Sequence, residues 1–182
     1  MSKKDVPFPF TYWVVPDKFL AGEHPVAGDD TATQKRLSAL LDAGIRTFID
    51  LTDEEELDNG DRKAVGYRAI LRSLAKERKL DITCICIPLA NHQAPSVAAM
   101  KCVLDVIDRS MKEKQPVYAH CFAGVGRTGT VVGCFLKRKG LALNYEVLQK
   151  MAELRRELPG GPDVSPRTEE QVLMVENWKE GE

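Results

Sequence analysis

The chain has 182 residues, which suffice for one domain with a substantial core and are too few for two domains of ordinary size. Hydrophobic residues make up 43% and charged residues 29%, and 26 Lys and Arg against 27 Asp and Glu give a net charge of −1. This balance is ordinary for a globular protein and does not indicate a basic surface for nucleic acid or anionic lipid.

The sequence also bears on the cellular compartment. The longest stretch without a formal charge, residues 82–100, is interrupted by prolines, an asparagine and a histidine, so it does not predict a membrane span. The first ten residues contain no apolar run typical of a signal peptide. Five cysteines are an odd and small number for a disulfide scaffold. We therefore predict a cytoplasmic protein with no membrane or nucleic-acid partner, and we expect a monomer.

Hydrophobic spacing divides the chain into alternating strands and helices. Apolar runs predict edge strands over residues 13–15 and 19–21, buried strands over 45–51 and 82–87, and a short strand over 117–120. Helical spacing predicts helices over residues 31–43, 67–74, 97–111, 128–139, 145–157 and 166–179. The alternation predicts one α/β domain with a mainly parallel twisted sheet and helices on both faces, preceded by an N-terminal extension over residues 1–10.

The most informative segment, residues 117–130, has the order strand, glycine-rich turn, helix. Gly124 and Gly126 allow successive backbone N–H groups to point into one concavity without a Cβ clash. The following helix directs its first N–H groups and its positive dipole end at the same spot. Arg127 adds a planar guanidinium that can bind two phosphate oxygens. The segment therefore predicts a cradle for a tetrahedral oxyanion.

Cys121 lies at the bottom of this predicted cradle. Helix N-termini and neighbouring cations stabilise a thiolate, which is the nucleophilic form of cysteine. Such a thiolate would lie in line behind a bound phosphorus and form a phosphocysteine. We expect the Thr128 hydroxyl to stabilise the sulfur as a leaving group, and His120 to order the loop by hydrogen bonding.

Two other interpretations compete for this segment. A lone cysteine at a strand end is usually a small buried apolar residue, but here the histidine, arginine and two glycines coincide with it. A nucleotide-binding loop would need Gly-x-x-x-x-Gly-Lys-Ser/Thr, and no lysine occurs between Gln115 and Arg127.

The run His120-Cys-Phe-Ala-Gly-Val-Gly-Arg-Thr128 resembles the His-Cys-x5-Arg-Ser/Thr signature of the cysteine-based protein tyrosine phosphatase superfamily. The short chain resembles its dual-specificity branch, above all small bacterial and archaeal members. Supporting matches are Phe48-Ile-Asp-Leu51 and Ser165-Pro-Arg-Thr-Glu-Glu-Gln171. The resemblance implies a dual-specificity-phosphatase-like fold, hydrolysis of a phosphorylated protein or small phosphomonoester, and no cofactor. It implies that phosphate is bound by Phe122, Ala123, Gly124, Val125, Gly126 and Arg127.

The sequence departs from this family at the general acid. The family usually has Asp where this chain has Asn91, in Pro88-Leu-Ala-Asn91-His-Gln-Ala-Pro95. An amide cannot protonate a departing oxygen, and losing a general acid costs roughly 10²–10⁴ in rate. Three alternatives stay open: an enzyme of low activity or with another acid such as His92, an engineered trapping variant, and a phosphate-binding pseudophosphatase that captures phosphorylated partners.

Two further polar residues are candidates for the site. In related phosphatases a glutamine at the position of Gln171 can orient the water that hydrolyses phosphocysteine, while a polar residue in the first turn of a helix is the alternative. Asp50 follows a buried strand near the expected site, where we favour a structural hydrogen bond. The acidic run at residues 53–58 is interpreted as a solvated loop.

Metal binding is not predicted, because three histidines and Cys84-x-Cys86 show no recognised ligand spacing. Cys84 and Cys86 are interpreted as core residues, and Cys102 and Cys134 as structural residues of apolar helices. The uncharged loop interior disfavours a polyphosphoinositide and favours a shallow pocket for phosphotyrosine, with phosphoserine or phosphothreonine as further substrates. A sulfur-transfer or arsenate-reducing enzyme is the third functional class, since it also uses a cysteine in an anion loop.

Overall fold

The computed structural model describes residues 5–52, 63–143, 146–159 and 164–182, and the side chains of residues 63–66 are excepted. The predicted acidic loop at residues 53–58 and the start of the helix predicted from residue 145 lie outside these ranges, as does part of the loop predicted at residues 159–166. None of the helices in the described ranges combines the length and apolarity required to cross a bilayer.

Strands and helices alternate along most of the described chain. The strands are β1 (Thr11–Val15), β2 (Phe19–Gly22), β3 (Thr47–Asp50), β4 (Thr83–Cys86) and β5 (Val117–His120). The helices are α1 (Asp30–Asp42), α2 (Lys63–Glu77), α3 (Val97–Lys112), α4 (Arg127–Arg138), α5 (Glu146–Arg155) and α6 (Glu169–Asn177). Local capping sets several helix starts: Asp29, Ser96 and Thr168 accept backbone N–H groups of the first turn.

The strands form one sheet in the order β1-β2-β5-β3-β4, in which only the β1–β2 pair is antiparallel among the described strands. The register places Gly22, His120 and Asp50 side by side, and they are the last residues of β2, β5 and β3. Since parallel strands end at the same edge, the residues that follow these strands meet at one edge of the sheet. This is where ligands bind in open α/β sheets.

Helices cover both faces of the sheet, because successive strand residues point to opposite sides. Ile49 packs in a core with residues of α3, α4, α5 and α6, whereas the neighbouring Phe48 packs with residues of α1 and α2. The predicted fold class is therefore confirmed. Phe8 is also buried and packs against the edge of the Tyr118 ring.

Two strand predictions were wrong in burial or position. β2 was predicted at a sheet edge but lies between β1 and β5. β4 was predicted as buried but forms the other edge, so Cys84 and Cys86 are half-buried rather than core residues. An apolar run does not show how many neighbours a strand has, and that number decides its burial.

The two cysteines that lie on helices, Cys102 and Cys134, also differ in burial. Cys134 is buried on α4, as the apolar surroundings predicted, but Cys102 is exposed on the outer face of α3. The last helix also begins at Glu169 rather than Pro166, because Thr168 caps it.

Candidate active site

The loop of residues 121–126 joins β5 to α4 and has a backbone that requires glycine. Gly124 has φ +69°, in the left-handed region that L side chains rarely adopt. A Cβ atom there would lie 2.5 Å from the Gly22 carbonyl carbon and 2.6 Å from the Glu23 nitrogen. The loop can therefore pack directly against the end of β2 only because residue 124 has no side chain.

Three carbonyl groups of the loop are bound from outside by residues distant in sequence. Phe122 O accepts the His24 N–H (2.9 Å), Gly124 O accepts Arg155 Nη1 (2.9 Å), and Val125 O accepts the Ser165 hydroxyl (2.8 Å). In a trans peptide the carbonyl and the next N–H point in opposite directions. The N–H groups of Ala123, Val125 and Gly126 are therefore left to face the inner side of the loop.

The inner side of the loop opens into a pocket of about 340 Å³. Its lining comprises Asn91, His92, Cys121, Phe122, Ala123, Val125, Gly126, Arg127, Arg167 and Gln171. Cys121 is only 3% exposed, whereas Phe122 next to it is 61% exposed. The thiol thus lies buried in the pocket lining, whereas the aromatic ring lies at its solvent-exposed mouth.

Arg127 is the first residue of α4 and is 2% exposed. Its Nη1 donates to the carbonyl oxygens of Leu51 and Leu89, each at 3.3 Å. These contacts link the guanidinium to the ends of β3 and β4 and hold it beside the cysteine loop. Such a cation together with the helix N-terminus favours an oxyanion in the pocket.

Thr128, the next residue of α4, is fully buried, and its hydroxyl has no hydrogen-bond partner among the described residues. The hydroxyl can therefore donate a hydrogen bond without first breaking one within the described residues. Its predicted role in stabilising the sulfur stays a prediction.

His120 lies beneath the loop and is fully buried. Its Nε2 is 2.9 Å from the Tyr67 hydroxyl, and its ring stacks on that of Tyr118. Burial lowers the pKa of the imidazole, against the opposing effect of Asp50. The ring is therefore neutral near pH 7, and its contacts are those of a residue that orders the neighbouring backbone.

Asp50, at the end of β3, accepts hydrogen bonds on both carboxylate oxygens. Thr52 donates its N–H (3.0 Å) and its hydroxyl (2.6 Å) to Oδ1, and Arg68 donates to Oδ2 at 2.7 Å. Burial alone would raise the pKa of this carboxyl, but His120, Thr52 and Arg68 lower it to about 2. Asp50 thus makes the structural hydrogen bonds that we favoured.

The segment of residues 88–95 forms the opposite wall of the pocket. Asn91 and His92 both line the pocket and are exposed. Asn91 Oδ1 accepts the His92 N–H at 3.1 Å, and His92 has φ +58°. The structure therefore places both the Asn91 amide and the His92 imidazole, which is the alternative acid, beside the cysteine loop.

The structure shows the helix-start position of Gln171, while its role in orienting water stays a prediction. It forms a capping box with Thr168, which accounts for its position in the first turn of α6. Its side chain is almost fully buried, lines the pocket, and donates from Nε2 to the Gln93 carbonyl at 3.2 Å. A Cβ on Gly126 would lie 3.2 Å from Gln171 Oε1, so the amide contacts the cysteine loop closely.

Sequence reasoning missed three residues that surround the loop: Arg155, Ser165 and Arg167. Ser165 and Arg167 belong to the Ser-Pro-Arg-Thr segment that was recognised, so their position in that segment was an available signal. The sequence contained no signal for Arg155, because one arginine at the end of an amphipathic helix is normally solvated.

The structure brings together a histidine–aspartate cluster that spacing along the chain did not indicate. One ligand atom each of His24, Asp50 and His120 lies within 4.8 Å of the others. Arg68 and Thr52 already occupy the Asp50 carboxylate, so we interpret the cluster as part of the hydrogen-bonded support of the loop.

Comparison with known families identifies the family of this chain. The model of the family Tc-R-P, a DSP-PTPase phosphatase of polymorphic toxin systems, matches residues 24–141, which is more than half of the chain. The chain belongs to this family. The match includes Cys121, Arg127 and Asn91, whereas Gln171 lies beyond it. The Tc-R-P assignment confirms the resemblance to the cysteine-based protein tyrosine phosphatase superfamily, and the chain is a phosphatase of the dual-specificity type.

Solved structures share the fold of this Tc-R-P domain. Kinase associated phosphatase, with its catalytic cysteine replaced by serine, has a TM-score of 0.69 at 16% identity, over 86% of this chain and 83% of its own. Tk-PTP in its active form has a TM-score of 0.62 at 20% identity, over 92% and 95%. TpbA of P. aeruginosa has a TM-score of 0.63 at 15% identity, over 95% and 87%, and another TpbA structure contains phosphotyrosine.

Proposed function

We propose that this chain hydrolyses phosphomonoesters, and phosphotyrosine in proteins above all, through a phosphocysteine on Cys121. The observation that carries the proposal is the loop whose carbonyl groups are bound outwards around a buried thiol and a buried arginine. Inward N–H groups, the start of α4 and Arg127 together match the charge and shape of a phosphate.

In the first step the Cys121 thiolate attacks phosphorus and the bond from phosphorus to the ester oxygen breaks. The leaving oxygen takes the electron pair of that bond. Arg127 and the N–H groups of Ala123, Val125 and Gly126 stabilise the charge on the equatorial oxygens, and they are held in place before substrate arrives.

In the second step water attacks phosphorus and the sulfur–phosphorus bond breaks. Gln171 positions this water, since its side chain lies at the pocket wall against Gly126. Thr128 donates its buried hydroxyl to the departing thiolate. The cycle returns free Cys121 and inorganic phosphate, and we propose that it needs neither metal nor cofactor.

The leaving group determines how much rate is lost because residue 91 is an asparagine rather than an acid. A phenolate leaves without full protonation, whereas an alkoxide from serine or threonine requires a proton in the transition state. With an amide at the position of the acid, we expect aryl phosphates to be hydrolysed far better than alkyl phosphates.

The mouth of the pocket also favours an aromatic substrate. Phe122 exposes 61% of its surface there, and its backbone is fixed by the His24 N–H. An aryl ring that enters the pocket can pack against this side chain. TpbA, of the same fold, has been captured with phosphotyrosine. We therefore propose that the partner is a phosphorylated protein. As the sequence predicts, we also propose a monomeric cytoplasmic enzyme without nucleic-acid or membrane partners.

The test is single-turnover hydrolysis of a phosphotyrosine peptide with enzyme in excess, quenched in acid. We expect phosphate release together with a transient phosphoenzyme that is labile to iodine, as thiophosphates are, and that Cys121→Ser lacks. Release of phosphate without a phosphoenzyme on Cys121 would contradict the mechanism.

A second candidate function is capture of phosphorylated partners without turnover. Asn91 favours it, because the amide faces the pocket and is engaged with the His92 N–H. Tight binding of the phosphotyrosine peptide with no phosphate release in the same single-turnover assay would identify the chain as a pseudophosphatase. Parallel assays with thiosulfate and with arsenate would detect the sulfur-transfer and arsenate-reducing alternatives.

A further inference from the structure

Asn91 and His92 form a turn in the pocket wall opposite the cysteine loop. Both residues are exposed, and His92 has φ +58°, in the left-handed region that residues with a side chain rarely adopt. The backbone N–H of His92 donates to Asn91 Oδ1 at 3.1 Å, and neither group has another hydrogen bond within the described residues. The side-chain carbonyl of Asn91 is thus held against the next backbone nitrogen of the chain.

This contact brings together two groups that can react with each other. A nucleophile and a carbonyl react readily when they are held about 3–3.5 Å apart. The nitrogen is already 3.1 Å from Oδ1, and Cγ, to which Oδ1 is bonded, is the atom that a nucleophile attacks. The Cβ–Cγ torsion of asparagine has a broad energy minimum, so a rotation about this bond turns the face of the carbonyl to the nitrogen. Because the turn is exposed, water also reaches it.

We propose that Asn91 deamidates spontaneously and that the aspartate formed supplies the general acid that the sequence lacks. The His92 backbone nitrogen loses its proton and attacks Asn91 Cγ, the bond from Cγ to Nδ2 breaks, and Nδ2 takes up a proton and leaves as ammonia. Water then attacks Cγ of the cyclic imide, and the bond from Cγ to the His92 nitrogen breaks, which restores the backbone N–H. One water is consumed and one ammonia is released, with no oxidant, reductant or cofactor.

The product places a carboxyl group in the wall of the catalytic pocket, because Asn91 lines that pocket. A carboxylic acid can protonate a leaving oxygen, whereas an amide cannot. Attack of water on the other carbonyl of the imide gives isoaspartate, which lengthens the backbone and displaces the carboxyl group. The modification itself is independent of the proposed function, but the gain in activity rests on it.

Asn177 is a matched control within the same chain. It is exposed at the end of α6, as Asn91 is exposed in its turn. The next backbone N–H, that of Trp178, donates to the carbonyl groups of Met174 and Val175. This nitrogen is therefore held away from the side chain before it, and we expect Asn177 to persist.

The experiment incubates the full chain at neutral and mildly alkaline pH and follows each asparagine by peptide mass spectrometry. Asn91 should convert severalfold faster than Asn177, and its rate should rise with pH because the attacking nitrogen must lose its proton. In the folded protein Asn91 should convert at least as fast as in urea, since the fold already holds the reacting groups together. Conversion no faster than at Asn177, or slower than in urea, would overturn the proposal.

Hydrolysis of a phosphoserine peptide by the same samples separates this proposal from the proposed function. At full conversion to aspartate, kcat should rise roughly 10–10²-fold, whereas Asn91→Gln, which would need a larger ring, should show no rise with time. An aged wild type that gains nothing while fresh Asn91→Asp is more active would overturn the activation. If Asn91→Asp also gains nothing, the acid role of residue 91 fails, while conversion at Asn91 still establishes the modification site.

Discussion

The loops that form two walls of the pocket, residues 121–126 and residues 88–95, are built very differently. The first surrounds the buried Cys121 and has its carbonyl groups bound by His24, Arg155 and Ser165. The second exposes Asn91 and His92, and is joined to its surroundings through the carbonyl groups of Leu89 and Gln93.

The difference separates two requirements of catalysis. Stabilising charge on phosphate requires donors that are already in place, because reorganising them during reaction would cost energy. Delivering a proton requires only one group within reach of the leaving oxygen. The first requirement is met by a rigid loop, and the second depends on the identity of one exposed residue.

Removing the nucleophile should have the largest effect. Cys121→Ser is expected to lower kcat by roughly 10⁴–10⁶-fold, since the covalent route is lost. Binding of inorganic phosphate, measured by calorimetry, should persist because the N–H groups and Arg127 remain. Cys102→Ser, at an exposed position on α3, is the control. Turnover that survives in Cys121→Ser would rule out the covalent route.

Distorting the rigid loop should have the next largest effect. Gly124→Ala places a Cβ at 2.5 Å from the Gly22 backbone and at φ +69°, so the loop must shift. Misplaced donors are expected to lower kcat by roughly 10²-fold. Gly28→Ala is the matched control, because no described residue other than its chain neighbours lies within 4 Å of the added Cβ. Equal kinetics in the two variants would show that loop geometry does not limit the reaction.

Restoring a carboxyl group on the exposed wall should increase activity. Asn91→Asp is expected to raise kcat roughly 10–10²-fold on phosphoserine peptides and much less on phenyl phosphates. The plot of rate against pH should gain an acid limb that the wild type lacks. His92→Gln, measured in parallel, tests the imidazole as an alternative acid. If Asn91→Asp changes neither class of substrate, residue 91 is not the acid position.

The support beneath the rigid loop should be sensitive to acid. Burial lowers the pKa of His24 to about 3, so below its ordinary value of 6.5 the unfolded chain takes up a proton that the folded chain does not. The free energy of unfolding should therefore fall as pH drops from about 6.5 towards 3, by up to ~1.4 kcal/mol per pH unit for this group. His24→Gln should flatten that slope in urea titrations. An unchanged slope would show that His24 is protonated in the fold.

The smallest effect is expected at the pocket mouth. Phe122→Ala removes an aromatic contact and should raise KM for phosphotyrosine peptides about three- to tenfold, with little change for phosphoserine peptides. Leu141→Ala, at another exposed apolar residue, is the control. A similar loss on both substrate classes would mean that Phe122 supports the loop rather than the substrate.

Much of the fold followed from local patterns. The strand before the loop, Val117–His120, was predicted with its observed bounds, and the start of α3 after Ser96 was also correct. Both depend on interactions within a few residues. The predictions that β4 is buried and that Cys102 is a structural residue were wrong, because burial depends on which elements lie beside a residue.

By itself the sequence determined the local geometry of the predicted reactive centre, since His120 to Thr128 form one continuous run in which backbone, helix start and arginine are neighbours along the chain. Only the tertiary structure decided what holds that run in place. Arg155 and Ser165 lie 31 and 40 residues beyond the carbonyl groups that they bind, and Gln171 lies 78 residues beyond Gln93. Contacts over such separations arise from strand order and helix packing, which no local spacing encodes.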